Sequence, residues 1–197
     1  MRLLHAAAAL GIAAFILVCG AAQFLRTDLD WIAAPLSFYL IGPGGAAVKA
    51  AYVALSLALA AIGILFHDAL VPAARRGLPM ALFGVSAVTL AVTALSEVPF
   101  GQDTDGLHAL VHGVAAMSTF LCVTVAMLLQ SWCLRGDVRW HSAHAFASWL
   151  AVAAFVALWI HALAHTLPRG LTQKIVIALI LAWLAWAAFA LQRGSRR

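Results

Sequence analysis

The sequence contains few charged residues. Asp, Glu, Lys and Arg make up 10% of its 197 residues, whereas soluble globular proteins average about 25%. Hydrophobic residues make up 65% of the chain, and the mean hydropathy is +1.01. This composition excludes an ordinary soluble domain and predicts a membrane protein.

Cysteine is also scarce. Cys19, Cys122 and Cys133 show no CxxC spacing and fall in or near apolar segments, where a thiol usually behaves as a small hydrophobic group. We assign them no redox role. The middles of the apolar segments carry no charge and few polar residues, which disfavours a transporter or a channel.

Long apolar runs are what the sequence has in abundance. Each of six such runs is close to the ~20 residues that a helix needs to cross ~30 Å of hydrocarbon. They are too long and too continuously apolar for the alternating ~10-residue strands of a membrane barrel. We therefore predict an all-α polytopic membrane protein, a single six-transmembrane-helix bundle without a separate soluble domain. The predicted spans are residues 4–25, 46–66, 78–96, 107–132, 143–167 and 175–191.

The first run also has features of a secretory signal, since Arg2 precedes it and small residues lie near Gly20. Its apolar stretch is longer than the 7–15 residues of a signal core. We therefore interpret it as a retained helix and count it as the first span.

Lysine and arginine set the predicted orientation. With a cytoplasmic N-terminus, Arg2, Arg75, Arg76, Arg135, Arg139, Arg193, Arg196 and Arg197 lie on the cytoplasmic side, and Arg26, Lys49, Arg169 and Lys174 lie outside. This distribution obeys the positive-inside rule, so we predict cytoplasmic N- and C-termini in a bacterial inner membrane. The same bias, with attraction to anionic lipids, accounts for the net charge of +5. It indicates no nucleic-acid partner.

On this topology, ionisable residues gather at the outer face. Ionisable groups at membrane depth are costly and tend to mark a functional site. We therefore expect the function to reside in an outward-facing acidic and histidine-rich pocket. Its members are Asp28, Asp30, Glu97, Asp103 and Asp105 in or beside two outer loops, and His108, His112, His161 and His165 in the adjoining helices.

Two histidine pairs in this pocket suggest a metal site. His108 and His112 are four residues apart and therefore share a helix face, and His161 and His165 repeat the spacing. Both pairs reach the same leaflet on neighbouring spans, so their faces could meet. Three histidines with an open position for water would make a catalytic zinc site.

The carboxylates of Glu97 and Asp103 are the candidate catalytic groups beside such a metal, as a general base or as partners that orient a ring. Neither histidine pair contains an HExxH motif, and histidines near helix ends also cap carbonyls or hydrogen-bond across a bundle. A haem b held by one histidine from each of the two spans is a further possibility.

The first outer loop, residues 26–45, is the longest connection and mixes charges with aromatics. Loops of this length usually carry function or form a cap. Its aromatic residues Trp31 and Tyr39 are also typical of an interfacial belt. The residues assigned to substrate binding are Asp28, Asp30, Ser37, Tyr39 and Arg169.

One stretch of this loop carries a family resemblance. Residues 31–45, WIAAPLSFYLIGPGG, together with Pro99-Phe100, Asp103 and the Gly106-x-His108 step, resemble the bacterial DUF998 membrane proteins. The resemblance covers most of the chain. It implies a six-helix bundle distantly similar to the DRAM-like group of membrane proteins, some relatives of which are linked to lipid remodelling. Because the family name records an unknown function, it transfers no catalytic residue.

These observations lead to three functional hypotheses. The first is hydrolysis or remodelling of a membrane lipid by a metal-activated water. The second is a non-catalytic membrane protein that binds a lipid or a partner protein, with membrane lipids as the expected partners. The third is a haem b membrane cytochrome.

Overall fold

Six long helices make up almost all of the computed structural model, which describes residues 1–96 and 106–194. Each helix is long and apolar enough to cross a membrane, and the described ranges contain no β-strand. The all-α, six-span prediction is thereby confirmed. The helices are α1 (Arg2–Leu25), α2 (Gly45–Ala69), α3 (Gly77–Leu95), α4 (Leu107–Cys133), α5 (His141–Leu163) and α6 (Arg169–Gly194).

The last helix begins before its apolar run. α6 starts at Arg169, whereas the charge-free run starts at Ile175. Pro168 directly precedes the helix, and a proline near a helix start removes only a donor that the helix does not use. The additional first turn contains the polar residues Thr172 and Gln173, and both contribute to the site described below.

The helices pack as a closed ring in chain order, with α6 returning to α1. α2 also contacts α6 across the middle of the bundle. Within the most apolar stretch of each helix, 61% of α2 is buried but only 17% of α5. α2 is therefore the central helix, and α5 lies at the rim with most of its surface available to lipid.

Trp183 joins three helices in the core. Its side chain on α6 is fully buried, and its indole N–H lies 3.1 Å from both Ser131 Oγ on α4 and the carbonyl of Ala147 on α5. Its ring also stacks with Phe83 on α3 at 5.9 Å between centroids. A buried indole with a satisfied donor fixes how α4, α5 and α6 meet.

The bundle has two different ends. Residues 26–44, which we call the cap, lie over one end, and this end is the capped end. The opposite end, which we call the arginine end, contains the start of α1, the end of α6, the α2–α3 and α4–α5 connections and Arg75, Arg76, Arg135 and Arg139.

Asp137 holds the arginine end together. Its side chain is 1% exposed, and its carboxylate accepts hydrogen bonds from Val71 N at 3.1 Å and from Arg139 Nη2 at 2.6 Å. Arg139 also donates to the carbonyl of Ala69 at 2.7 Å. The hydrogen bond from Arg139 is the main cause that lowers the pKa of Asp137 to about 2. A charged carboxylate therefore ties the α4–α5 connection to the end of α2.

Candidate functional site

The cap is bound to the first turn of α6 through backbone hydrogen bonds. Gly170 N donates to Ala33 O at 3.1 Å and Leu171 N donates to Ile32 O at 2.8 Å. The first turn of a helix has free N–H groups, and the cap satisfies two of them. A Cβ on Gly170 would lie 2.5 Å from Ala34 O, so this close approach requires glycine.

Two side chains of α6 extend this attachment. Gln173 Oε1 accepts a hydrogen bond from Leu36 N at 2.8 Å. Lys174 Nζ donates to the carbonyls of Trp31 and Ala34, the latter at 3.0 Å. The cap is therefore a fixed lid on the bundle. The sequence suggested a cap from the length of this loop but did not identify Gln173 or Lys174 as its partners.

Arg26 organises the other half of the cap. The side chain is buried and donates to both carboxylate oxygens of Asp28, at 2.8 and 2.7 Å, and to Ile41 O at 2.6 Å. The hydrogen bond from Arg26 lowers the pKa of Asp28. Gly42 has φ +82°, and a Cβ there would lie 3.2 Å from the guanidinium, so glycine is needed for this contact.

Tyr39 lies between two cations inside the cap. Its ring is fully buried, with the Arg26 guanidinium 5.9 Å and Lys174 Nζ 5.6 Å from its centroid. Burial raises the pKa of its phenol. Trp31, in contrast, is 53% exposed. The interfacial-belt interpretation therefore suits Trp31 and does not suit Tyr39.

The residues assigned to substrate binding are thus distributed over different surroundings. Asp28 is paired with Arg26 inside the cap, and the ring of Tyr39 lies beside Arg26 and Lys174. Asp30 Oδ1 accepts from Ile32 N at 2.8 Å, which closes a local turn. Arg169 is exposed at the start of α6. Ser37 lines the cavity described next. The substrate-binding assignment itself remains a prediction.

The cavity lies beneath the cap, enclosed by α1, α2, α3, α4 and α6. Ser37, Thr93, His112 and Gln173 lie toward the capped end, and the remaining wall is almost entirely apolar. The cavity has a volume of about 70 Å³. The space is therefore a narrow slot. Its apolar wall includes Leu55, Leu59, Leu90, Phe120, Ile177 and Leu184.

The depth of the cavity matches one leaflet of a membrane. Along α4 its lining runs from His112 to Val123, a separation of eleven residues or about 16 Å at 1.5 Å per residue. Half of a ~30 Å hydrocarbon core is about 15 Å. The slot is therefore long enough for much of one hydrocarbon chain.

The two threonine hydroxyls in the wall are hydrogen-bonded within the protein. Thr93 Oγ1 donates to Thr89 O at 2.8 Å, and Thr119 Oγ1 lies 2.8 Å from Thr89 Oγ1. Hydroxyls that are already hydrogen-bonded do not require a polar ligand. The deeper part of the cavity is consequently suited to an apolar group.

His112 is held in a defined state at the polar end of the cavity. Its Nδ1 lies 2.8 Å from the carbonyl of Ser96. A carbonyl only accepts, so Nδ1 carries the hydrogen, and in the neutral ring Nε2 has the lone pair. The sequence singled out His112 but did not identify Ser96 as its partner. The only sequence feature that could have indicated Ser96 is its position at the end of the third apolar run.

The two histidine pairs lie in different surroundings. His112 Nδ1 is hydrogen-bonded to the carbonyl of Ser96, which directly follows α3, whereas His161 Nδ1 contacts Thr172 Oγ1 of α6 at 2.7 Å. His108 and His165 are exposed. In the described part of the chain, no three His, Cys, Asp or Glu side chains lie close enough to hold a metal ion.

The metal prediction therefore gains no support from the described histidines, which do not supply a three-ligand set. The proposed catalytic carboxylates, Glu97 and Asp103, lie outside the described residues, as does Asp105. The catalytic role of the carboxylates, the zinc site and the haem alternative all remain predictions.

Comparison with known proteins identifies the family. A family model described as "Protein of unknown function (DUF998)" matches residues 9–190. The match covers nearly the whole chain, and the chain belongs to this family. No match was found among curated proteins or among solved structures.

Proposed function

We propose that this member of the DUF998 family binds an uncharged single-chain lipid, such as a monoacylglycerol, in the cavity beneath the cap. The observation that carries the proposal is the shape and polarity of the slot, which is narrow, about one leaflet deep and polar only toward the capped end. An amphiphile with one hydrocarbon chain has a similar length and the same distribution of polarity.

The lining favours a neutral headgroup. Among the described residues that line the cavity there is no Asp, Glu, Lys or Arg. An ionised headgroup buried there would have no opposite charge to offset its desolvation. The nearby cations Arg26 and Lys174 direct their described hydrogen bonds to Asp28 and to backbone carbonyls of the cap.

Two lining side chains can hold such a headgroup. Gln173 uses Oε1 to bind the cap, which leaves its amide N–H groups as donors to an ester carbonyl. His112 donates through Nδ1 to Ser96, so its Nε2 can accept from a lipid hydroxyl. A monoacylglycerol provides both an ester carbonyl and free hydroxyls, which a hydrocarbon or a simple wax does not.

Photo-crosslinking in nanodiscs tests this proposal. The probe is a monoacylglycerol with a diazirine in its acyl chain, and the labelled peptides are identified by mass spectrometry. We expect saturable labelling of the segments around Leu90 and Phe120, which line the cavity. Unlabelled monoolein should compete. Oleate, which is anionic, and lysophosphatidylcholine, which is zwitterionic, should compete at least ~10-fold less well, because both carry ionised groups.

A matched pair of alanine-to-leucine variants distinguishes labelling in the cavity from labelling at the lipid-facing surface. Ala116 lines the slot, whereas Ala162 is exposed on α5. A116L places three additional carbon atoms in the slot and should reduce saturable labelling at least ~10-fold, while A162L should not change it. Equal labelling in both variants, or labelling confined to α5 without competition, would refute the proposal.

Hydrolysis of the bound lipid by a metal-activated water is the second candidate. The observation that favours it is His112, whose Nε2 lone pair is available to a ligand at the polar end of the slot. The described residues supply this one histidine and not a set of three metal ligands, so we derive no catalytic step. Elemental analysis and a visible absorption spectrum of the purified protein test for zinc and for haem b.

The membrane and the orientation are also part of the proposal. The distribution of lysine and arginine supports a bacterial inner membrane with the arginine end in the cytoplasm. The cap and the slot would then face the outer leaflet, and a lipid would enter from that leaflet.

A further inference from the structure

A second cleft opens at the arginine end, on the opposite side of the bundle from the lipid slot. It lies between the α2–α3 connection, the start of α3 and the end of α4. The cleft has a volume of about 590 Å³, against about 70 Å³ for the slot. The cleft therefore has more room for a headgroup than the slot.

The cleft is positively charged. Arg76, Arg135 and His141 line it, and the described lining contains no Asp or Glu. In the described residues neither arginine forms an ion pair. Arg139 differs from them, because its charge is paired with Asp137 at 2.6 Å. Two uncompensated guanidinium groups on one cleft favour an anion, and guanidinium groups bind phosphate oxygens through paired hydrogen bonds.

The backbone under the cleft is fixed. Gly136 packs so closely against the α2–α3 connection that a Cβ would lie 3.1 Å from Ala74 Cβ. Asp137, the next residue, accepts a hydrogen bond from Val71 N. Arg76 and Arg135 therefore project from two connections that are joined to each other, so the spacing of their backbones does not depend on a ligand.

The other wall of the cleft is apolar and exposed. Leu78 at the start of α3 is 60% exposed, and Trp132 at the end of α4 is 64% exposed. Exposed tryptophan at a helix end is typical of headgroup depth in a bilayer. A soluble anion would make no favourable contact with such an apolar wall, whereas the acyl chains of a lipid would lie along it.

We propose that this cleft binds the phosphate headgroup of an anionic phospholipid, such as phosphatidylglycerol, from the leaflet that adjoins the arginine end. Arg76 and Arg135 bind the phosphate, and the chains run past Leu78 and Trp132 along α3 and α4. The inference does not depend on the function proposed for the slot, which lies at the other end of the bundle.

Native mass spectrometry of the detergent-purified protein tests this inference with three probes: short-chain phosphatidylglycerol, short-chain phosphatidylcholine and inorganic phosphate. We expect phosphatidylglycerol to bind at least ~10-fold more tightly than phosphatidylcholine. Inorganic phosphate should not displace it at equal concentration. Displacement by equal phosphate would show that the chains contribute nothing and would overturn the proposal.

A charge-matched pair of double variants locates the site. R76Q/R135Q removes two charges from the cleft, and R2Q/R193Q removes two charges from exposed positions at the same end. The first should weaken phosphatidylglycerol binding roughly 10- to 30-fold and the second less than about 3-fold. All four side chains are exposed, so unchanged thermal unfolding should accompany both. Equal weakening in the two variants would mean general attraction to positive charge and would refute a site.

Discussion

Replacing Gly170 with alanine should loosen the cap from α6. The new Cβ would lie 2.5 Å from Ala34 O and 2.7 Å from Ile32 O, so the cap must move. The movement breaks or lengthens the hydrogen bonds from Gly170 N and Leu171 N. At about 0.5–1.5 kcal/mol each, their loss costs about 1–3 kcal/mol.

The control is the same substitution where there is space. Gly84 lies within α3, and no atom lies within 4 Å of a Cβ built there. Alanine is favoured over glycine inside a helix by about 0.8–1.0 kcal/mol, so G84A should stabilise the protein. The two variants should therefore differ by about 2–4 kcal/mol, with opposite signs relative to the parent protein.

Two assays measure the effect. Thermal unfolding in detergent gives the order of stability, with G170A below the parent and G84A at or above it. Trypsin cleavage after Arg26 reports on the cap itself, because this side chain is 7% exposed and hydrogen-bonded to Asp28 and Ile41. Cleavage should be faster in G170A alone, and monoacylglycerol labelling of the slot should fall with it. Equal cleavage rates in the two variants would refute the close-contact argument.

Three further predictions concern other parts of the chain. D137N should lower the free energy of unfolding by about 1–2 kcal/mol near pH 7. Because the folded-state pKa of Asp137 is lowered to about 2, the difference from the parent should shrink as the pH falls from about 4 to 2. A constant difference across a pH series of unfolding curves would contradict this prediction. A reporter joined after Arg197 should be active only if it works in the cytoplasm, and activity of a periplasm-specific reporter would reverse the proposed orientation. If a metal is bound, His112→Ala should lower both metal content and thermal stability while His5→Ala changes neither; equal metal content in the two variants would exclude His112 as a ligand.

The fold was predictable because it depends on a property that a sequence displays directly. A helix that crosses a membrane must satisfy its backbone hydrogen bonds internally and present apolar side chains over about 20 residues. Each of the six runs does so, and glycine or proline occurs in several of the breaks between them, as at Gly42 and Pro168. No knowledge of neighbouring helices is needed for this step.

The candidate site was less predictable because it depends on how helices are rotated against one another. The spacing of His108 and His112 places them on one face of α4, but it does not state which helix that face meets. In the structure His112 is hydrogen-bonded to Ser96, which directly follows α3, and His161 on α5 is hydrogen-bonded to Thr172 on α6. The matched spacing of the two pairs therefore did not imply that they share a ligand.

Acidic residues in the first outer loop illustrate a second limit. Asp28 and Asp30 are of the residue type expected in a binding site. However, Asp28 is paired with Arg26 two residues earlier, and Asp30 closes its own turn by accepting from Ile32 N. Such local pairing depends on backbone conformation that a list of charges does not contain. The slot is equally hidden, because its walls come from five helices and it is formed by space between ordinary leucines and phenylalanines.

The polar ends of the two proposed lipid sites lie too far apart for one headgroup to contact both. Along α4, His112 at the slot and Trp132 at the basic cleft are twenty residues apart, or about 30 Å at 1.5 Å per residue. This distance is the full thickness of the hydrocarbon core, whereas the chain of a single-leaflet lipid covers half of it. The two proposals therefore place their lipids in opposite leaflets. α3 and α4 line both sites, so these two helices, packed together along their length, form the route by which occupancy of one site could affect the other.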